Sequence, residues 1–184
     1  IAQGRVSVAF ALLQARSLIY EHNLSHVLVA ATDSLINWPT LSHYEREDRL
    51  LTSRNSNGFM PGEGAGALFV GLPQSDRSQL LCTGLGFGVE HAHIQTEEPL
   101  RAEGLSLAIK AALAEAECEM HDMDFRITDL SGEQYYFKEA ALALTRTLRR
   151  RKEDFQIWNP AECIGETGSL VGASVIGLAH AACH

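Results

Sequence analysis

The sequence contains no C-x-x-C pair, no Gly-Lys followed by Ser or Thr, no apolar stretch that approaches the length of a bilayer and no surplus of positive charge. Its four cysteines, Cys82, Cys118, Cys163 and Cys183, lie far apart, which excludes a zinc knuckle and a thioredoxin-type motif. They read as scattered, reduced core residues, the usage expected of a cytoplasmic protein. A membrane span needs about 20 consecutive apolar residues, and no basic-then-apolar leader opens the chain. No membrane partner is therefore expected. A formal net charge of −8 argues against a nucleic-acid partner, because phosphate-backbone binders present a basic face. The one basic run, Arg146, Arg149, Arg150, Arg151 and Lys152, ends a helical pattern, where cations complement the helix dipole.

What is present is ordinary globular material: 184 residues, 46% hydrophobic and 21% charged, enough for one domain with a substantial core. The chain opens without Met, at Ile1-Ala2-Gln3-Gly4, and stops in a helical pattern at Ala181-Ala182-Cys183-His184. A fragment of a longer polypeptide is the expectation.

The stretch GFMPGEGAGALFVG, residues 58–71, places Gly62, Gly64 and Gly66 within five positions. Phosphate-binding loops put their glycines after a strand and before a helix. Here the glycines precede an apolar run, Ala65 to Val70, that suits a strand, so the order argues against a nucleotide site. A second cluster, Gly84, Gly86 and Gly88, follows an apolar run, but no helical period comes after it.

Along the chain, residues 6–20 are apolar nearly all round, the pattern of a helix buried on every face. HVLVAATDS reads as a buried strand of the parallel type. Pro39 to Leu51 is a charged helical stretch, SRNSNG a loop, Ala65 to Val70 a strand, and Leu80 to Gly84 a second strand. Leu105, Ile109, Ala112, Leu113 and Ala116 recur at helical spacing, giving a helix over residues 102–118. Phe125 to Leu130 is a strand candidate. Ser131-Gly132-Glu133-Gln134 fits a capping box for a helix whose face carries Tyr136, Ala140, Leu144 and Leu148. Phe155 to Trp158 reads as a strand, and GETGSLVGASVIGLAHAAC returns to the small-residue apolar helix of the start. Strands alternating with helices, with an all-apolar helix at each end, argue α/β architecture.

Four stretches in order resemble the β-ketoacyl synthases (3-oxoacyl-acyl-carrier-protein synthases) of the thiolase superfamily. HVLVAATDS resembles the strand after the family's nucleophile helix. RLLTSRNSNGFMPGEGAGALFV resembles its "SRPFD-x-x-RDGFV-x-GEGAG" segment, ITDLSGE sits where the family has its "NAHGT" turn, and TGSLVGAS resembles "TGH-x-x-GAAG". The resemblance implies a single thiolase-like domain over residues 1–184, α/β and layered α/β/α with buried central helices, a partial copy of the family's αβαβα fold. It also implies that the GEGAG turn lets the chain cross tightly beneath the active site, glycine serving backbone geometry.

The family's reaction, as the resemblance implies, is a decarboxylating Claisen condensation on a cysteine thiolate at a helix N-terminus, with two histidines stabilising the developing negative charge. Matched position by position, the nucleophile falls at Arg5, or at Gly4 if the loop before the strand is one residue shorter. The first histidine is replaced by Ser131, beside Gly132, and the second by Ser169, between Gly168 and Leu170. The family's upstream lysine falls at about Ile164. Serine donates a hydrogen bond but does not shuttle a proton near neutral pH. Arg5, Ser131 and Ser169 are therefore the expected degenerate site, converging on a pocket floor.

Helix capping explains Ser131 as well, and capping or close packing explains Ser169. His91 and His93 lack a supporting carboxylate or Cys for a metal and read as a surface loop. Asp129 and Glu133 leave open an acid–base pair, with capping by Glu133 the alternative. Neither cofactor nor metal is expected. The resulting expectation is a catalytically degenerate partner subunit or scaffold, meeting an acyl carrier protein or an active synthase subunit as a homodimer or heterodimer. The alternative is an active acyltransferase or condensing enzyme that draws residues from outside this stretch.

Overall fold

A computed structural model describes residues 1–183, so His184, the last residue of the expected helical end, lies outside the described residues. The chain divides into two compact units. One comprises Ile1–Leu81, Ile127–Ser131 and Asn159–His184, the other Cys82–Arg126 and Gly132–Trp158.

In the first unit, α1 (Ser7–Tyr20) leads to β1 (His26–Ser34), α2 (Trp38–Arg46) and β2 (Glu63–Gly71). Asn37 caps α2 through its side-chain oxygen, which accepts from the Thr40 N–H at 3.1 Å, and Pro39 stands in the first turn, where its missing N–H is no loss. β1 and β2 pair antiparallel over nine residues, from His26 opposite Gly71 to Ser34 opposite Glu63. The expected parallel type is thus corrected: an uninterrupted apolar run reports contact on a face and says nothing of strand direction.

Both strands bury alternate residues. The inward row, Val29, Ala31 and Leu68 among it, meets Val8 and Leu12 of α1 and Leu170, Ala173 and Ile176, the last two from α6 (Val171–Ala182). The other face is open, with Leu28 66% and Phe69 72% exposed and the His26 ring stacked on Phe69 at 4.7 Å. Burial of the two apolar helices is one-sided as well. α1 buries Ser7, Val8, Ala15 and Ile19, and α6 buries Val171 and Ala173, where the sequence led us to expect cover on every face.

The GEGAG glycines serve close approach. A Cβ on Gly62 would overlap the Ile164 carbonyl oxygen, and Cβ atoms on Gly64 and Gly66 would sit 2.6 and 2.9 Å from the Leu170 methyls. The segment before β2 is held to the loop after α5 (Ala161–Ile164): Gly62 N–H donates to the Glu166 carbonyl at 2.8 Å, and Glu166 N–H to the Met60 carbonyl at 2.7 Å.

In the second unit, α3 (Glu103–Glu115) and α4 (Gln134–Thr147) pack against each other, Phe125 stacks on Trp158, and β3 (Phe125–Ile127) pairs with β4 (Gln156–Trp158). The strand expected at Leu80 to Gly84 is not formed, since nothing pairs with it. Instead the segment from Gly84 to Gly88 lies flat on α3. Cβ atoms on Gly84, Gly86 and Gly88 would overlap the carbonyl oxygens of Ala112, Ala108 and Gly104 respectively. Two residues of extended chain span about 6.6 Å and four residues of helix about 6 Å, so the glycine row and the small-residue row stay in step, running antiparallel. Two carboxylates clamp the arrangement. Glu90 accepts from the Gly104 N–H at 3.1 Å near the N-terminus of α3, and Glu115 accepts from the Leu85 N–H at 2.7 Å.

Candidate functional site

Arg5, Ser131 and Ser169 all belong to the first unit. A 3₁₀ turn, Gly4–Val6, leads into α1. Gly4 has φ +55°, in the left-handed region that glycine occupies without strain, and nothing lies within 4 Å of where its Cβ would point. Arg5 follows, 23% exposed in its side chain, and its guanidinium turns toward three oxygen groups. Nη2 lies 2.5 Å from Glu166 Oε2, a close ion pair not aligned as a hydrogen bond, and donates to Ser131 Oγ at 3.3 Å. Nη1 reaches Asp129 Oδ2 at 3.5 Å.

Glu166 is the buried partner, its side chain 3% exposed. Gly165 at φ +71° and Gly168 at φ +57° bracket the short loop that carries it. Its Oε1 accepts from the Gly168 N–H at 3.0 Å. Burial pushes the Glu166 carboxyl above its ordinary pKa. The Arg5 guanidinium and the hydrogen bonds from Gly168 and Ser131 pull it back, and Asp129 pushes it up again.

Arg5 and Ser131 are therefore brought into contact. Ser169 stands in the 3₁₀ turn Gly168–Leu170, three residues beyond Glu166, and faces β1: its N–H donates to Asp33 Oδ2 at 2.8 Å and its hydroxyl to the Thr32 carbonyl at 3.2 Å. The Asp33 carboxylate thus sits just ahead of α6, on the favourable side of its dipole.

Three expectations are corrected. Ser131 does not cap α4, because the helix begins at Gln134 with Glu133 in the cap position, and no side-chain cap bond forms there. Its hydroxyl serves Arg5 instead. Glu133 is buried, 2% exposed, and does not use its carboxylate as a cap. Ser169 lies inside its own turn, and the cap position of α6 is Leu170.

His91 and His93 sit on an exposed loop, where His93 Nδ1 accepts from the Gln95 N–H at 3.4 Å. Among the described residues no group of three or more His, Cys, Asp or Glu could hold a metal ion, and no helix is long and apolar enough to cross a membrane. Ile164, at the lysine position, ends α5 with its carbonyl against Gly62.

Sequence reasoning missed Glu166 and Asp33. A signal for each was present: Asp33 ends an apolar strand, and Glu166 stands alone between the glycines and Thr167 in an otherwise uncharged run. Taken together, the cluster offers one guanidinium, two carboxylates and a hydroxyl. It has no sulfur to form a thioester and no imidazole to carry a proton near neutral pH.

No family model and no curated protein sequence matches this chain. Solved structures do. An oxazolomycin ketosynthase domain of Streptomyces albus matches over 96% of this chain with a TM-score of 0.79 at 17% identity. A ketosynthase of Xenorhabdus doucetiae, in complex with its chain length factor, matches over 97% with a TM-score of 0.78 at 18% identity. A type II polyketide ketosynthase in complex with its acyl-carrier protein matches over 96% with a TM-score of 0.78 at 16% identity. The chain spans 34, 44 and 47% of those three proteins. What this chain carries is part of the thiolase-like fold of the ketosynthases.

Proposed function

We propose that this chain is a ketosynthase-like protein of the fatty acid or polyketide type that has lost condensing chemistry and acts as a partner subunit or scaffold. It works as one thiolase-like domain beside an acyl carrier protein or an active synthase subunit, in a homodimer or heterodimer in the cytoplasm. One observation carries the reading. At the entry to α1, where the resemblance places a thiolate, Gly4 has no side chain, and the neighbouring Arg5 is committed to Glu166, Asp129 and Ser131. Loss of a single oxyanion donor costs about a hundred- to a thousandfold in rate, and loss of the nucleophile removes the covalent route.

The test is incubation with an acyl thioester followed by mass spectrometry of the intact protein. The wild-type chain stays unmodified, and an adduct on Arg5, Ser131 or Ser169 overturns the reading in favour of an active acyltransferase. Gly4→Cys supplies a thiol at the start of α1 with open space before it, and is expected to gain the adduct. Arg5→Cys, whose side chain points into the carboxylate cluster, is not.

A further inference from the structure

In the second unit α4 ends at Thr147 and β4 begins at Gln156. Between them runs Leu148-Arg149-Arg150-Arg151-Lys152-Glu153-Asp154-Phe155. With Arg146 in the last helical turn, this puts five of the chain's 15 lysines and arginines into seven positions. Both ends of the arginine run are pinned. Leu148, half-buried, donates its N–H to the Leu144 carbonyl at 2.8 Å. Lys152 Nζ donates to the His121 carbonyl at 3.2 Å and lies 5.3 Å from the centre of the Phe155 ring. Between these anchors Arg149, Arg150 and Arg151 are exposed, as is Arg146. Among the described residues, none of the four guanidiniums has a hydrogen bond, an ion pair or a ring contact. Arg5, Arg46, Arg101 and Arg126 differ in each finding a partner: Glu166, the Ser42 carbonyl, Glu103, and the Phe155 carbonyl and ring. The dipole of α4 accounts for Arg146, but the three arginines that follow bond none of its carbonyls.

We propose that Arg146, Arg149, Arg150 and Arg151 form a docking surface for a short acidic segment of a partner protein, whose Asp and Glu carboxylates pair with the unpaired guanidiniums. An arginine fork matches a carboxylate with two parallel N–H···O bonds, and arginine clusters recognise acidic motifs in this way. Charge selects the occupant. Glu153 and Asp154 follow the run directly, and Glu117, Glu119 and Asp122 join Arg150 around a cavity of about 360 Å³, so the positive surface is bounded by carboxylates. A nucleic-acid strand adds a charge with every nucleotide and would run on over those carboxylates, on a chain that already carries a net charge of −8. An anionic membrane would meet the same acidic border. A segment with a few carboxylates on one face fits within it. The inference uses no residue of the Arg5 cluster, so its failure leaves the proposed function untouched.

The probe is a fluorescent acetylated peptide of repeated Glu-Glu-Ala, titrated with the chain and followed by anisotropy at an ionic strength of about 0.05 M. Comparison is with the same peptide carrying Gln for Glu, and with two triple variants of equal net charge. One is Arg149→Gln, Arg150→Gln, Arg151→Gln; the other is Arg54→Gln, Arg77→Gln, Arg101→Gln, all six positions being exposed. Circular dichroism checks that both variants fold. The peptide is expected to bind with a Kd of some hundreds of micromolar. The first variant should weaken it at least about tenfold, the equivalent of some 1.4 kcal/mol, and the second less than about threefold. Equal weakening by both variants would make net charge the cause and overturns the proposal, as does absence of binding or equal binding of the Gln peptide. Tighter binding of an oligothymidylate of equal length, or of phosphatidylserine vesicles, also overturns it by assigning the surface to a different partner.

Discussion

Removing the Arg5 guanidinium tests the electrostatics of the cluster most directly. Glu166 is 3% exposed and faces Arg5 at 2.5 Å, so Arg5→Ala leaves a carboxylate buried with Asp129 as a repulsive neighbour. Breaking a buried pair from one side costs about 3–5 kcal/mol, and the full loss is expected near pH 8. The pH dependence follows from the direction of the Glu166 shift. Its folded-state pKa already lies above the ordinary value and rises further without Arg5. Stability tied to the protonated carboxyl is complete below the unfolded value of about 4.3 and is lost as pH climbs through the folded one, at up to about 1.4 kcal/mol per unit. Urea unfolding followed by circular dichroism should accordingly show Arg5→Ala much closer to wild type at about pH 5 than at pH 8. Adding Glu166→Gln should recover most of the loss, with a coupling energy of about 2 kcal/mol or more. A cost under about 1 kcal/mol at pH 8, or an equal cost at both pH values, would refute the assignment of a buried, Arg5-compensated charge.

The turn before β2 separates backbone from side-chain contact. Gly62→Ala drives a methyl into the Ile164 carbonyl and is expected to cost about 3 kcal/mol, whereas Gly64→Ala meets only the movable Leu170 methyl and should cost about 1, both read by urea unfolding. Asn37→Ala removes the cap of α2 and should cost about 1 kcal/mol, more than Ser131→Ala costs α4 as measured by helical ellipticity, because Ser131 caps nothing. Burial, with Glu139 and Glu90 nearby, pushes the Tyr135 phenol up to about 12. Ultraviolet titration should show a late-ionising tyrosine that disappears in Tyr135→Phe, and an ordinary value there would remove the partial burial assigned to it.

Much of the element order was legible because periodicity reports contact. The helix at 102–118 appears as Glu103–Glu115, the helix after Ser131 as Gln134–Thr147, and the run Ala65 to Val70 lies within β2. What periodicity does not report is partnership. HVLVAATDS was readable as a strand, but its antiparallel partner was fixed by the register from His26–Gly71 to Ser34–Glu63, which no local pattern encodes. Of the three positions matched at the site, Arg5 and Ser131 meet, whereas Ser169 bonds to Asp33 and the Thr32 carbonyl of β1. The carboxylate that Arg5 and Ser131 share, Glu166, escaped notice because a lone acid between glycines reads as loop chemistry until burial is known. The Ser131 capping box was misread for a related reason: the local pattern is satisfied in sequence, but a guanidinium from the start of the chain competes for the same hydroxyl.

The two glycine clusters show where such reading can be extended. Both alternate at period two, and neither closes on a phosphate-binding helix. What separates them is the surface they meet: Gly64 and Gly66 face a leucine side chain, which tolerates displacement, whereas Gly84, Gly86 and Gly88 face helix backbone, which does not. The distinguishing signal lies downstream. Gly104, Ala108 and Ala112 recur every fourth residue on α3, with Ala116 next in the row at its C-cap, the helical counterpart of a glycine at every second residue of an extended chain. A period-two glycine row followed by a period-four row of Gly and Ala therefore predicts an extended segment laid antiparallel on a helix at backbone contact. No such row lies opposite Gly64 and Gly66, where Leu170 fills the space instead, and the same dipeptide rhythm gives an ordinary strand with a paired neighbour.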